Sequence, residues 1–453
     1  IVVEISFERL VSVVARVEQR LSSEGRLCVA KPPEPFAAPP LIIESEDSLK
    51  AEVILVKASA AVGKSTMARH LSASCNAPLL DLSSVPVSTG TLKSLILDVK
   101  GIEDPIDAFH SAKLPIIVDA LDEGRLLSGE TGFESFMQTI GEFLLQNREV
   151  VDHPKLVLLG RHDSVEDAKT WLEIVSSGFL VRAISVGYFE ENEARTLINS
   201  YALSCAEKDS AYNRHQEPAR KLIDAYFSAI EAAVGAAKGQ LWNDPQGKSF
   251  AGYAPILAAL GSLLAKIDNF SEVVTRLAST GRQEAWDVIE TVLDEILKRE
   301  QNKLRDKLST QLSCAIPGEV YDPHEQLLFL ARKIHGQPSG SSNRVKLPPT
   351  EQIKYHTMVE QYIGEHPFVR QGRPTNDVLG SLVLAYAIAH DLLKFPNHEL
   401  LANLSQQPFI WRSFHAQIEH SDEMIIDGEL LGFILNSYWN DPNTTGSSIV
   451  IRS

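Results

Sequence analysis

Val53-Ile54-Leu55-Val56-Lys57-Ala58-Ser59-Ala60-Ala61-Val62-Gly63-Lys64-Ser65-Thr66 joins a short apolar run to a glycine-lysine-serine turn, and the helical pattern of Met67, Ala68 and Leu71 follows at once. A buried strand that delivers the chain to such a turn points several backbone N–H groups inward. The next helix adds the positive end of its dipole, and together they form a nest for phosphate oxygens. Positions 58–66 are therefore the candidate nucleotide-binding loop, with Lys64 reaching the β and γ phosphates and the Ser65 hydroxyl holding Mg²⁺. The full pattern is G-x-x-x-x-G-K-[ST], and Ala58 stands where its first glycine belongs. Glycine supplies backbone angles that alanine resists. A plain Gly-Lys-Ser at a helix start is the rival reading, and the strand before the turn favours the loop.

Some fifty residues on, Leu114-Pro115-Ile116-Ile117-Val118-Asp119 is a second apolar run ending in an acid, followed by Asp122 and Glu123. Strands buried on both faces read as continuous apolar runs, and their C-terminal tips face the ligand in parallel sheets. Asp119 is then the expected second Mg²⁺ position, and Asp122 or Glu123 orients or deprotonates the attacking water. Acids just after a strand also suit a solvated turn or a helix start. A third run, Leu156 to Leu159, ends in Gly160-Arg161. Arg161 is either a surface residue or a cation beside the γ-phosphate, and the order loop, acids, basic tip favours the second.

The run Val118-Asp119-Ala120-Leu121-Asp122-Glu123 resembles the second motif of NACHT-type NTPases, in which an aspartate is followed by a small residue and then by two more acids. Ile184 to Ala194 resembles the strand-then-helix start of their helical lid. Gly252-Tyr253-Ala254-Pro255 resembles the proline motif on the adenine side of the nucleotide, which makes Pro255 a candidate cofactor contact. The resemblance covers about residues 50–265 and is to STAND-class signal-transducing NTPases of the bacterial kind. It implies ATP and Mg²⁺ as cofactors, a homo-oligomeric state, effector and sensor parts or partner proteins outside this chain, and a role in antiviral, anti-phage defence. Ala58 and Ala61 depart from that pattern, which implies a stiffer loop, weaker nucleotide binding or slow hydrolysis. No winged-helix histidine motif is evident, and His335 and His415 are candidates only by elimination.

With 453 residues, 44% hydrophobic and 23% charged, the chain has the length of two to four domains. It holds no run of eighteen apolar residues, which argues against a membrane partner. The first ten residues carry Glu4, Glu8 and Arg9, unlike a signal peptide, and Ile1 suggests a fragment of a longer chain. Cys28, Cys75, Cys205 and Cys314 lie far apart without a C-x-x-C pair, which argues against zinc and against a disulfide framework and suits the cytoplasm. A formal charge of −16 opposes nonspecific duplex binding, although a local basic patch leaves nucleic acid open. The nearest patch, 298–307, alternates bases with acids and reads as a solvated helix face.

The expected fold is α/β: a parallel P-loop NTPase sheet sandwiched by helices, followed by a largely α-helical lid and C-terminal region. Strands are expected near 53–57, 78–82, 115–119, 155–159 and 181–186. The expected organisation is an N-terminal helical segment (1–30, with a helix over 7–21), a proline-rich linker (31–48), the core (49–190), a helical lid (191–315) and a mainly helical remainder (316–453). Two rivals to a nucleotide-controlled switch remain. One is an AAA+-type motor acting on nucleic acid or protein, and the other is a nucleotide-bound scaffold that scarcely hydrolyses. No G-x-S-x-G or H-E-x-x-H set competes.

Overall fold

The computed structural model describes residues 3–22, 25–32, 36–45, 49–58, 62–146, 153–175, 180–278, 282–336, 346–364, 366–370, 372–389, 409–410 and 413. Backbone packing divides the chain into two units, Ile1–Ser200 and Tyr201–Ser453.

The first unit runs β1 (Val3–Ile5), α1 (Phe7–Val13), β2 (Leu27–Cys28), β3 (Leu41–Ile43), β4 (Val53–Lys57), α2 (Lys64–Cys75), β5 (Leu79–Asp81), α3 (Thr91–Leu97), α4 (Pro105–His110), β6 (Ile116–Asp119), α5 (Leu121–Leu145), β7 (Leu156–Gly160), α6 (His162–Val175) and β8 (Val181–Val186). These strands form one mixed sheet of eight, in the order β1-β3-β8-β4-β7-β6-β5-β2. Its middle, β8-β4-β7-β6-β5, is parallel throughout. The outer strands are antiparallel, which corrects the expectation of a wholly parallel sheet: β3 runs against β8, β1 against β3 and β2 against β5.

Alternation along β4 shows why the sheet is covered twice. Val53 and Leu55 join one core with Leu92 of α3, Phe109 of α4, Phe133 and Phe136 of α5, and Val165 of α6. Ile54 and Val56 point the other way, into a second core with Phe7 and Leu10 of α1 and Met67, Ala68 and Leu71 of α2. Successive side chains of a strand face opposite sides, so a strand with two cores must be apolar at every position.

Two N-terminal expectations change. The helix expected over 7–21 ends at Val13, because Val14 turns extended (ψ 122°). Val14 and Val17 are still buried, but by a chain laid along α2: Val17 N–H donates to the Cys75 carbonyl at 2.9 Å, and Asn76 Nδ2 donates to the Val17 and Gln19 carbonyls at 2.9 and 2.8 Å. The linker expected over 31–48 contains β3, whose Leu41 and Ile43 are buried, while 33–35 and 46–48 lie outside the described residues.

The chain passes through α7 (Glu191–Cys205) into the second unit, which holds α8 (Ala211–Arg214), α9 (Gln216–Val234), α10 (Pro245–Ala251), α11 (Ala254–Ala265), α12 (Phe270–Ala278), α13 (Arg282–Gln311), α14 (Pro323–Ile334), α15 (Pro349–Ile363), the hairpin β9 (Val369–Arg370) and β10 (Arg373–Pro374), and α16 (Asp377–Ala389). The long α13 packs on α9, α11 and α14. Among the described residues no single helix is long and apolar enough to cross a membrane.

Candidate functional site

The chain leaves β4 for α2 on one face of the sheet, whereas β6 and β7 lead into α5 and α6 on the other. Where connections part in this way a crevice opens beyond the strand tips, the usual ligand position of an open α/β sheet. Strand β7 lies between β4 and β6, so three sequence-distant tips become neighbours there.

At the β4 side, Gly63 takes a left-handed conformation (φ 84°, ψ 24°) as the residue before α2. An added Cβ would meet nothing within 4 Å, so the turn needs glycine for its φ and not for space. Lys64 is half-buried, and Ser65 and Thr66 are exposed in the first turn of α2. Ser59, Ala60 and Ala61 lie outside the described residues. Ala58 is buried and its N–H donates to the Gly160 carbonyl at 3.2 Å. Val62 is buried beside the turn.

At the β6 tip, Asp119 is 2% exposed. Ala120 follows in a left-handed conformation (φ 63°, ψ 42°), which costs a non-glycine residue about 1–2 kcal/mol. That turn leaves Asp119 on the strand and places Asp122 and Glu123 in the first turn of α5, where the helix dipole favours acids. Burial pushes the Asp119 carboxyl above the ordinary range. Hydrogen bonds from Ser65 and the Ala120 N–H and the charge of Lys64 oppose that shift, and the Asp81 carboxylate adds to it. Asp119 Oδ1 is buried without a hydrogen-bond partner.

Asp122, 4% exposed, behaves oppositely. Burial works against its charge, yet Lys64 and Arg161 hold its carboxyl below the ordinary range, with further support from a backbone N–H. Its Oδ2 lies 2.7 Å from Arg161 Nε, and its Oδ1 accepts the Arg161 backbone N–H at 3.2 Å. Burial depresses the Lys64 pKa, an effect that Asp122 resists. The approach of the β7 tip to α5 depends on Gly160, because a Cβ there would sit 2.9 Å from Leu121 Cβ. The structure thus brings Lys64, Ser65, Asp119, Asp122, Glu123 and Arg161 into one charge-coupled cluster.

Helix α6, which begins just after Arg161, braces both sides of the crevice. Lys57 at the β4 tip donates to Glu166 at 2.9 Å, which draws the Glu166 carboxyl below its ordinary range. Arg125 pairs with Asp167 of α6 and, across the break in α5 at Gly129, with Glu130 at 2.6 Å. The sequence reading passed over these groups and Asp81. Asp81 ends an apolar run in an acid, the very signal that singled out Asp119, and faces it in register. Glu166 and Asp167 carry no comparable signal, since acids on an amphipathic helix are ordinary surface.

An Mg²⁺ ion takes oxygen ligands, keeps several waters, and needs only one or two protein groups beside phosphate oxygens. The open oxygen of Asp119 beside the Ser65 hydroxyl fits that requirement.

Pro255 belongs to the second unit, buried in the first turn of α11. Tyr253 before it donates its hydroxyl to the Pro367 carbonyl at 2.6 Å. His335 follows α14, with its pKa lowered by burial, and His415 lies outside the described residues. No protein-family model matches this chain, and no curated protein matches it.

Proposed function

We propose that this chain is an ATP-binding and ATP-hydrolysing molecular switch of the STAND class with a NACHT-like nucleotide-binding domain, its nucleotide state controlling self-association. The observation that carries the reading is the cluster of Lys64, Ser65, Asp119, Asp122 and Arg161 on the adjoining tips of β4, β6 and β7. Two cations, a buried open carboxylate oxygen and a pair of helix-start acids at a strand-tip crevice match the needs of phosphoryl transfer, where positioning and charge stabilisation do nearly all the work.

In this reading the backbone of 58–66 and Lys64 bind the β and γ phosphates. Ser65 and Asp119 would hold Mg²⁺, which would supply positive charge to the phosphate oxygens. Glu123, with Asp122, orients a water and accepts its proton as the water oxygen bonds to the γ-phosphorus. The bond from that phosphorus to the bridging oxygen breaks, leaving ADP and inorganic phosphate, while Arg161 offsets charge on the γ-phosphoryl oxygens. A protein that binds ATP and ADP with different contacts has what a two-state switch requires. Antiviral defence, outside partners and a helical lid follow from the family resemblance alone.

The test is turnover with Mg·ATP. Glu123→Gln should lower it 10²-fold or more, roughly the worth of a general base, while ATP still binds. Unchanged turnover would exclude Glu123 as the base, and no turnover in the native chain would favour the scaffold reading.

A further inference from the structure

In this structure Asp122 serves both cations of the site. It meets Arg161 at two points, the guanidinium at 2.7 Å and the backbone N–H at 3.2 Å, and it is the strongest opposing charge on Lys64. The two contacts with Arg161 differ in kind. Oδ1 accepts a hydrogen bond from the backbone N–H, whereas Oδ2 faces the side-chain Nε. The backbone bond does not involve the guanidinium, so it can keep the β7 tip against α5 when the side chain changes partner.

We propose that Asp122 is a clasp on Arg161 which a γ-phosphate opens, and that this exchange of ion-pair partners is how the site distinguishes a nucleoside triphosphate from a diphosphate. The inference rests on the reading of the cluster as a nucleotide site. A diphosphate ends at its β-phosphate, which Lys64 serves, so the clasp stays shut. A triphosphate supplies the extra oxygens that compete with Asp122 for the guanidinium, which pairs with phosphate in the bidentate way it pairs with a carboxylate. Opening frees the Asp122 carboxylate next to Glu123, where the attacking water belongs. Recognition of the third phosphate and readiness to hydrolyse it become a single event. The strand order explains the arrangement, since β7 between β4 and β6 puts Arg161 within reach of the loop and the acids alike.

The test is calorimetric binding of ADP and of the non-hydrolysable β,γ-imido analogue of ATP, with Mg²⁺, to the full chain. Native protein is compared with Asp122→Asn, Arg161→Gln and the double variant, each checked by thermal melting. Asp122→Asn should strengthen analogue binding relative to ADP by roughly tenfold, the scale of one exchanged ion pair. Arg161→Gln should abolish the preference, and in its background Asp122→Asn should add nothing to it. Arg161→Lys keeps the charge balance and folds without a lost cation; it should weaken the analogue and leave ADP unchanged. The clasp is overturned if Asp122→Asn shifts both nucleotides by one factor whether or not Arg161 is present, or if Arg161→Lys weakens both alike. A native chain that binds neither nucleotide would instead overturn the underlying reading, and the clasp with it.

Discussion

Gly160 is the residue on which the geometry of the cluster turns. It ends β7, accepts the Ala58 N–H through its carbonyl and leaves room for Leu121, so Arg161 and Asp122 can pair. Gly160→Ala would place a methyl group 2.9 Å from Leu121 Cβ, with Val165 at 3.2 Å, and neither can retreat from a filled core. Overpacking of this kind costs about 1–3 kcal/mol. The substitution should lower the midpoint of chemical denaturation by that amount and reduce ATP turnover tenfold or more, the sensitivity expected when catalytic groups are displaced. Loss of stability with full turnover would show that the β7 tip does not set the site. Gly63 differs, because its left-handed φ and not its surroundings excludes a side chain.

Among the elements, the N-terminal segment is tied to the end of α2 by Asn76, beside the apolar packing of α1. This residue ends α2 in a left-handed conformation (φ 49°) and donates two side-chain hydrogen bonds to the carbonyls of Val17 and Gln19. Asn76→Ala removes both and leaves alanine in a conformation it resists, so a loss of about 2–3 kcal/mol is expected. Amide exchange should rise over residues 14–20 and not along β4; uniform exchange would place the effect elsewhere. The same junction shows what the sequence made legible. The five central strands were readable because burial on both faces demands unbroken apolar runs, and each lies within a residue or so of its expected place. The short edge strands were not, because a strand of two or three residues has no period to detect, and β3 hides behind Pro39-Pro40. The helix expected over 7–21 failed because Leu10, Val14 and Val17 have helical spacing but do not share one face: Leu10 and Val14 enter the core with α2, and Val17 enters the other. Loop, acids and basic tip could be read one by one, but the pairing of Asp122 with Arg161 depends on strand order, which no local motif encodes.

At the scale of the whole molecule, the second unit carries its own buried polar centre. Glu300 of α13, 3% exposed, accepts from Tyr362 Oη at 2.9 Å and pairs with Lys303 at 2.8 Å and Arg299 at 3.3 Å. Burial opposes its charge, yet Lys303, His366 and Arg299 draw the carboxyl from an ordinary 4.5 down to about 2. A carboxyl depressed by folding gives stability that is fully present above the unfolded value and fades as pH falls through the folded one. Acid should therefore loosen the second unit between about pH 4.5 and 2. Glu300→Gln should lose about 1–3 kcal/mol at neutral pH, and its stability should fall less steeply with acid over that window. An unchanged acid profile would show that other carboxyls govern it.

In the first unit, the strand-tip cluster stands or falls as a nucleotide site by what it holds. The most direct measurement is mass spectrometry of small molecules released from the purified native chain, with Lys64→Ala prepared in parallel. ADP or ATP from the native protein and none from the variant is the predicted result. An empty site in both, together with no binding of added Mg·ATP, would contradict the account and leave the fold without a nucleotide to switch it.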